Sequence, residues 1–206
     1  MPKLYKVAIV GRVNVGKSTL FNKLISQPKA ITSRVAGTTR DRNYAICSWN
    51  SLDFDLIDTG GLDDVKDQID QDINDQIEVA LKESDLVLFV VDSKTGILPT
   101  DRELLKIIKK HKKPIILIAN KADNNRLRNQ TAEFYKLNIG EPSIVSAANG
   151  VGTGDLLDRL VKTLKNLKKS SRGHVQTEDD KIIKVAIVGQ PNVGKSSLIN
   201  ALLGEE

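Results

Sequence analysis

Cysteine is almost absent from this chain: Cys47 is the only one in 206 residues. That excludes an internal disulfide framework and fits a reducing, cytoplasmic setting. Within a strand-like run, Cys47 reads as a buried side chain. Histidine is nearly as scarce. His111 ends a helical pattern and His174 lies in a polar stretch, so capping or solvent exposure describes them better than catalysis. No Cys/His cluster suggests a zinc site. No apolar run reaches the roughly 18 residues that a membrane span needs, which argues against a membrane partner. The start, MPKLYKVAIVG, enters a strand-like run without the apolar stretch and cleavage site of a signal peptide. Charge of one sign is also lacking: 31 basic against 26 acidic residues leave only +5. This is weak evidence for an anionic partner such as RNA. Much of the excess lies in Lys162, Lys165, Lys168, Lys169 and Arg172, which read better as a solvated helix face complementing the helix dipole.

What is present is an alternation. Short β-branched runs exchange with helical patterns, the signature of a mostly parallel α/β sheet. Strands are expected at 6–11, 42–50, 52–58, 86–92, 114–120 and near 142–146, with 42–50 and 52–58 pairing antiparallel across a tight connection. The run LVLFVVD (86–92) is apolar throughout, as a strand covered on both faces should be. Helices are expected at 17–25, about 67–84, 100–111, 126–137 and 154–167. In the second of these, Ile69, Ile73, Ile77 and Leu81 fall on one face. Six strands with helices on both faces are the expected packing for residues 1–167.

From 168 to 181, KKSSRGHVQTEDDK has almost no apolar residues and reads as an exposed linker. An internal repeat follows. KVAIVGRVNVGKSTLFNKL (6–24) recurs as KVAIVGQPNVGKSSLINAL (184–202), identical at 14 of 19 positions. Residues 182–206 supply one strand, one loop and one helix, which cannot bury their own apolar faces. They are expected to begin a second, incomplete domain of the same kind as the first.

Gly11 to Ser18 spells GRVNVGKS, the G-x-x-x-x-G-K-[ST] phosphate loop, between an expected strand and helix. Gly11 and Gly16 let the backbone turn so that amides of Arg12, Val13, Asn14 and Val15 can face phosphates, helped by the helix dipole. Lys17 would supply a point charge, Ser18 would ligate magnesium, and Thr19 completes the cradle. NKAD (120–123) chooses the base. Guanine offers N1–H and N2–H2 together, and the Asp123 carboxylate can accept both, whereas adenine presents a lone pair at N1. Leaving that charged group unpaired costs on the order of 2–4 kcal/mol, roughly a hundredfold preference. Asn120 can bridge base and loop, the Lys121 stem can pack along the base, and Ser146, Ala147 and Ala148 fit the place where amides meet the guanine O6. DTGGL (58–62) follows the expected strand LDFDLID (52–58), whose C-terminal end should face the phosphate loop. Asp58 would hold magnesium through water, Thr59, Gly60 and Leu62 would line the nucleotide, and the Gly61 amide would meet the γ-phosphate. In GTTRD (37–41), Thr39 would reach magnesium only when the γ-phosphate is present. Release of both segments on hydrolysis is switch logic, and these motifs make residues 1–167 an expected P-loop NTPase G domain, with 182–206 the incomplete start of a second.

GRVNVGKS, GTTRD, DTGGL, NKAD and the repeated GQPNVGKSS together resemble the Der (EngA) family of bacterial GTPases, which carry two G domains in tandem. The single-domain relatives Era and the tRNA-modification GTPase MnmE share many motifs but not the duplication. The resemblance implies a monomeric GTP/GDP switch that hydrolyses GTP with Mg2+, acting late in assembly of the large ribosomal subunit. It further implies a KH-like domain after the second G domain, which this sequence does not contain. It also implies stimulation by K+, held beside the phosphates by Asn14 and, in the second loop, by Asn192. Lys17, Thr39, Gly61 and Asn14 are then the candidate catalytic groups. Gly189, Gln190, Pro191, Asn192, Val193, Gly194, Lys195, Ser196 and Ser197 would form a second, partial nucleotide site. Val13 stands where the second copy has Pro191, which removes no ligand. Leu62 stands where Ras-like enzymes orient water with glutamine, a departure this family shares. It leaves no catalytic base named; Asp41 and Asp63 are only in the neighbourhood. A binding platform with negligible turnover is the alternative from another class, and a tRNA-modification-type GTPase is disfavoured by the repeat.

Overall fold

In the computed structural model, residues 4–26, 31–34, 43–59 and 77–171 are described, with backbone alone at 31–34, 43 and 168–171. The chain divides into two compact units, Met1–Lys168 and Lys169–Glu206. The strands are β1 (Tyr5–Val10), β2 (Ile31–Arg34), β3 (Asn43–Trp49), β4 (Leu52–Asp58), β5 (Leu86–Asp92), β6 (Ile115–Asn120) and β7 (Ser143–Ile144). The helices are α1 (Lys17–Ile25), α2 (described over 77–83), α3 (Pro99–Lys110), α4 (Asn125–Gln130) and α5 (Thr153–Ser171).

The sheet runs β2-β3-β4-β1-β5-β6-β7. Strands β4, β1, β5, β6 and β7 are parallel neighbours, while β3 pairs antiparallel with both β4 and β2. The six expected strands are all there. A seventh, β2, adds to them at the edge, antiparallel to β3 with Thr32 opposite Cys47.

Alternation along each central strand feeds two cores, one per sheet face. Val7, Ile9, Leu86, Leu88 and Val90 pack with Leu20, Phe21 and Leu24 of α1 and Leu156, Leu157, Leu160 and Leu164 of α5. Ala8, Val10, Val87, Phe89 and Val91 pack instead with Ile77, Ala80 and Leu81 of α2 and Leu104, Leu105 and Ile108 of α3. All seven residues of β5 are buried, as its unbroken apolar run requires. Ile69 and Ile73 lie outside the described residues.

Two helices differ from the sequence pattern. The helix expected over 126–137 is α4 followed by a 3-10 segment, Thr131–Leu137. No α4 residue is buried, whereas the 3-10 segment buries Thr131, Phe134 and Leu137. Those three are spaced by three, and a helix of three residues per turn stacks them on one face. Helix α5 continues to Ser171, into the stretch expected as linker. No described helix is long and apolar enough to cross a membrane.

Candidate functional site

The C-terminal ends of β1, β4, β5 and β6 converge on the loop between β1 and α1, the usual ligand position in an open parallel sheet. A Cβ on Gly11 would stand 2.5 Å from the Val90 carbonyl oxygen, so glycine alone lets the chain leave β1 beside β5. Val15 is fully buried and pins the loop from below. Asn14 (φ 63°) and Gly16 (φ 93°) take the left-handed region. Such reversals turn successive amides into a concave, anion-binding nest. Gly16 is also the N-cap of α1, so the first free amides of that helix open into the same concavity. The buried Lys17 arches across the loop, its Nζ donating to the Arg12 carbonyl at 2.9 Å. Ser18 and Thr19 are exposed on an open groove of about 680 Å3 that also involves Asn22, Lys23, Ala147 and Ala148.

The fourth strand ends beside this loop. Asp58 pairs in register with Ile9, and the Thr59 hydroxyl donates to the Ile9 carbonyl at 2.7 Å. Asp58 is fully buried. A carboxylate here and the Ser18 hydroxyl at the start of α1 are hard oxygen donors, a set suited to Mg2+.

Asn120, at the end of β6, joins the two loops. Its Nδ2 donates to the Val15 carbonyl at 2.9 Å, and its Oδ1 accepts from the Ala147 amide at 3.0 Å. Lys121 (φ 62°) donates to the Asn14 carbonyl and forms an ion pair with Asp92 at 2.8 Å. Asp123 stands at the rim. Its Oδ1 accepts from the Ser146 hydroxyl at 2.7 Å, and its Oδ2 meets Lys94 Nζ at 2.7 Å. The hydrogen bond from Lys94, then that from Ser146, holds the Asp123 carboxyl below its ordinary range; the Lys94 ammonium is correspondingly raised by Asp123.

The phosphate loop is tied outward as well. Arg12 Nε lies 3.3 Å from Asp101 Oδ1, and its guanidinium donates to the Thr95 hydroxyl. Asp101 is buried and caps α3, accepting from the Leu98 amide at 2.9 Å. Burial pushes its carboxyl above the ordinary value, against the pull of the Leu98 amide and Arg12.

The structure thus brings together Gly11, Arg12, Val13, Asn14, Val15, Gly16, Lys17, Ser18, Thr19, Asp58, Thr59, Asn120, Lys121, Asp123, Ser146, Ala147 and Ala148. Thr39, Gly60, Gly61, Leu62, Asp41 and Asp63 lie outside the described residues, as does the whole second loop (189–197).

The family described as "50S ribosome-binding GTPase" matches residues 6–121 and 184–206, covering both copies of the loop. The chain belongs to that family. Its likeness to Der holds. It is 48% identical over 201 residues to the GTPase Der of Clostridium kluyveri, covering 97% of this chain and 44% of that protein. The chain therefore spans less than half the length of the curated relatives it matches. Among solved structures it is similar to an Era variant of Aquifex aeolicus bound to GDP and AlF4−, at 34% identity and TM-score 0.61, covering 79% of this chain and 56% of that one. It is equally similar to Era in complex with MgGDPNP and nucleotides 1506–1542 of 16S ribosomal RNA, with the same identity, coverage and TM-score.

Four members of the site have no motif to announce them: Asp92, Lys94, Thr95 and Asp101. Their signal is positional, since Asp92 ends β5 directly opposite Asn120 in the sheet. A residue just past the C-terminal end of a central parallel strand faces the ligand crevice.

Proposed function

We propose that the first unit binds GTP and GDP with Mg2+ and hydrolyses GTP, as the nucleotide switch of a larger protein that serves the assembly of the large ribosomal subunit in the cytoplasm. The observation that carries this reading is Asn120, which holds the phosphate loop at Val15 and the base loop at Ala147 with one side chain. A bound nucleotide then meets phosphate and base contacts as one rigid cradle. Asp123, beyond that bridge, presents the carboxylate that distinguishes guanine from adenine. Lys17 and the amides of the nest neutralise the phosphates. Ser18 and Asp58 would hold Mg2+, which when bound offsets the charge that develops on the phosphate oxygens. Thr39 and the Gly61 amide would complete the site around the γ-phosphate.

Family membership and the likeness to Der support the ribosomal role, and the repeated loop at 189–197 supports a second nucleotide domain after a linker. Asn14, exposed on the rim of the loop, is the candidate ligand for K+. Single-turnover hydrolysis of GTP in potassium and in sodium tests the reading. A rate clearly above background, faster in potassium, is expected. Background rates in both salts would favour a nucleotide-bound platform that binds partners without turnover.

A further inference from the structure

The carboxylate that should read the base is already engaged. Lys94 Nζ sits 2.7 Å from Asp123 Oδ2, while Ser146 occupies Oδ1 at 2.7 Å. The two donors differ in kind. Ser146 is buried, with its amide bonded to the Val151 carbonyl at 3.0 Å, so its hydroxyl stays where the fold puts it. Apart from that ion pair, Lys94 is held among the described residues at its backbone, where its amide donates to Asp92 Oδ1 at 2.8 Å, and its side chain is 53% exposed. The neighbouring pair of Lys121 with Asp92 is fixed by contrast, because that carboxylate is only 5% exposed and Lys121 also bonds the phosphate loop. Two ammonium groups and two carboxylates therefore stand together, one pair locked and one free to open into water.

We propose that Lys94 is an internal competitor for the base site: its ammonium occupies the Asp123 carboxylate until a guanine displaces it. The proposal rests on the reading that Asp123 receives the N1–H and N2–H2 donors of the base. Both donors lie in one plane and approach the carboxylate edge-on, each taking one lone pair; Ser146 keeps the second lone pair of Oδ1, whereas the exposed Lys94 ammonium competes with the guanine at Oδ2. Displacement moves Lys94 into solvent and buries no new group. An exposed ion pair of this kind weakens the entering ligand by about two- to fivefold, and salt screens it. Lys94 thus sets the affinity and salt dependence of nucleotide binding without touching the nucleotide. An arginine in its place would hold the carboxylate with a two-pronged fork and compete harder.

The test is calorimetric titration of the full chain with GDP at low and high potassium chloride, comparing the native protein with Lys94→Met and Lys94→Arg. Lys94→Met should bind GDP about two- to fivefold more tightly at low salt, with the gain fading at high salt, and Lys94→Arg should bind more weakly than the native protein. A second background separates competition from the general effect of a positive charge near a diphosphate. In Asp123→Asn the carboxylate is gone, and the amide now suits xanthine, which carries an acceptor at C2. There, Lys94→Met should give no tightening toward XDP. Equal affinities for the three residues at low salt, weaker GDP binding by Lys94→Met, or the same tightening in the Asp123→Asn background would each overturn the proposal. If the native protein holds ADP as tightly as GDP, base recognition by Asp123 itself fails and takes the proposal with it; that result is distinct from the others because it does not involve Lys94.

Discussion

Replacing Asn120 should damage stability and nucleotide binding together, and two substitutions separate the causes. In Asn120→Ala, the Val15 carbonyl and the Ala147 amide lose partners at 2.9 and 3.0 Å, in a place where the side chain is only 2% exposed. Each orphaned buried group costs about 1–3 kcal/mol, less where water can enter. Taking about 3 kcal/mol for the two together, and a urea slope of about 2 kcal/mol per molar, the unfolding midpoint should fall by about 1.5 M. Asn120→Asp keeps nearly the same shape and still accepts from Ala147. It replaces the donor facing Val15 with a carboxylate oxygen, so two acceptors meet and the charge is buried as well. At neutral pH the aspartate variant should therefore be the less stable of the two, although it is the smaller change in volume. Urea unfolding followed by circular dichroism measures both, and GDP titration of the surviving folded protein should show weakened binding in each. An alanine variant within about 0.5 kcal/mol of the native protein, or an aspartate variant more stable than alanine, would refute the bridging role.

Arg12→Ala should cost about 3 kcal/mol at neutral pH, because it strips the buried Asp101 carboxylate of its cation. The folded Asp101 carboxyl is raised above its unfolded value, so the folded chain binds more protons in that window and stability rises as pH falls across it. The Arg12→Ala deficit in urea midpoint should accordingly shrink on acidification toward that raised value, and a deficit independent of pH would contradict the assignment. Cys47 is buried and its thiol is pushed up to about 11, by burial first and the Asp53 carboxylate second. At pH 8 about one molecule in a thousand carries the thiolate, so alkylation of the native protein should be very slow and should speed up sharply in denaturing urea.

Where sequence and structure coincide, the reason is that one local rule decides the matter. The strand–glycine–helix sequence around Gly11 and Gly16 admits one backbone path, since a Cβ at either glycine would lie 2.5 Å from Val90 or Asn120. The two-faced core of β5 follows from an apolar run with no polar break. Where they diverge, the decision is made by tertiary packing. The 3-10 segment after α4 follows a spacing of three that is also compatible with a ragged α-helix, until the sheet face it covers is known. Strand β2 has four residues, ITSR, with no alternation to mark it, and exists by pairing to β3. In the site, residues carried by motifs were legible as chemistry. Lys94 and Asp101 were not, because their roles arise from partners 29 and 89 positions away in the chain, with distances of 2.7 Å to Asp123 and 3.3 Å to Arg12.

These contacts also bear on how binding energy is distributed. In the structure Lys17 is turned to the Arg12 carbonyl, Lys121 to Asp92, and Lys94 to Asp123. If the site binds nucleotide as proposed, the entering ligand exchanges partners more than it adds them, and its affinity should fall well below the sum of its contacts. The exchange is uneven. Lys121 and Asn120 hold the loop in shape and need not move, so the cradle is preformed at little entropic cost. On the proposed reading of Asp123, Lys94 must leave its carboxylate before guanine binds there, while Lys17 need only swing within the mouth of the loop. Phosphate capture and base recognition thus draw on different groups of one rigid frame, and a substitution that changes one while leaving Asn120 in place should leave the other intact.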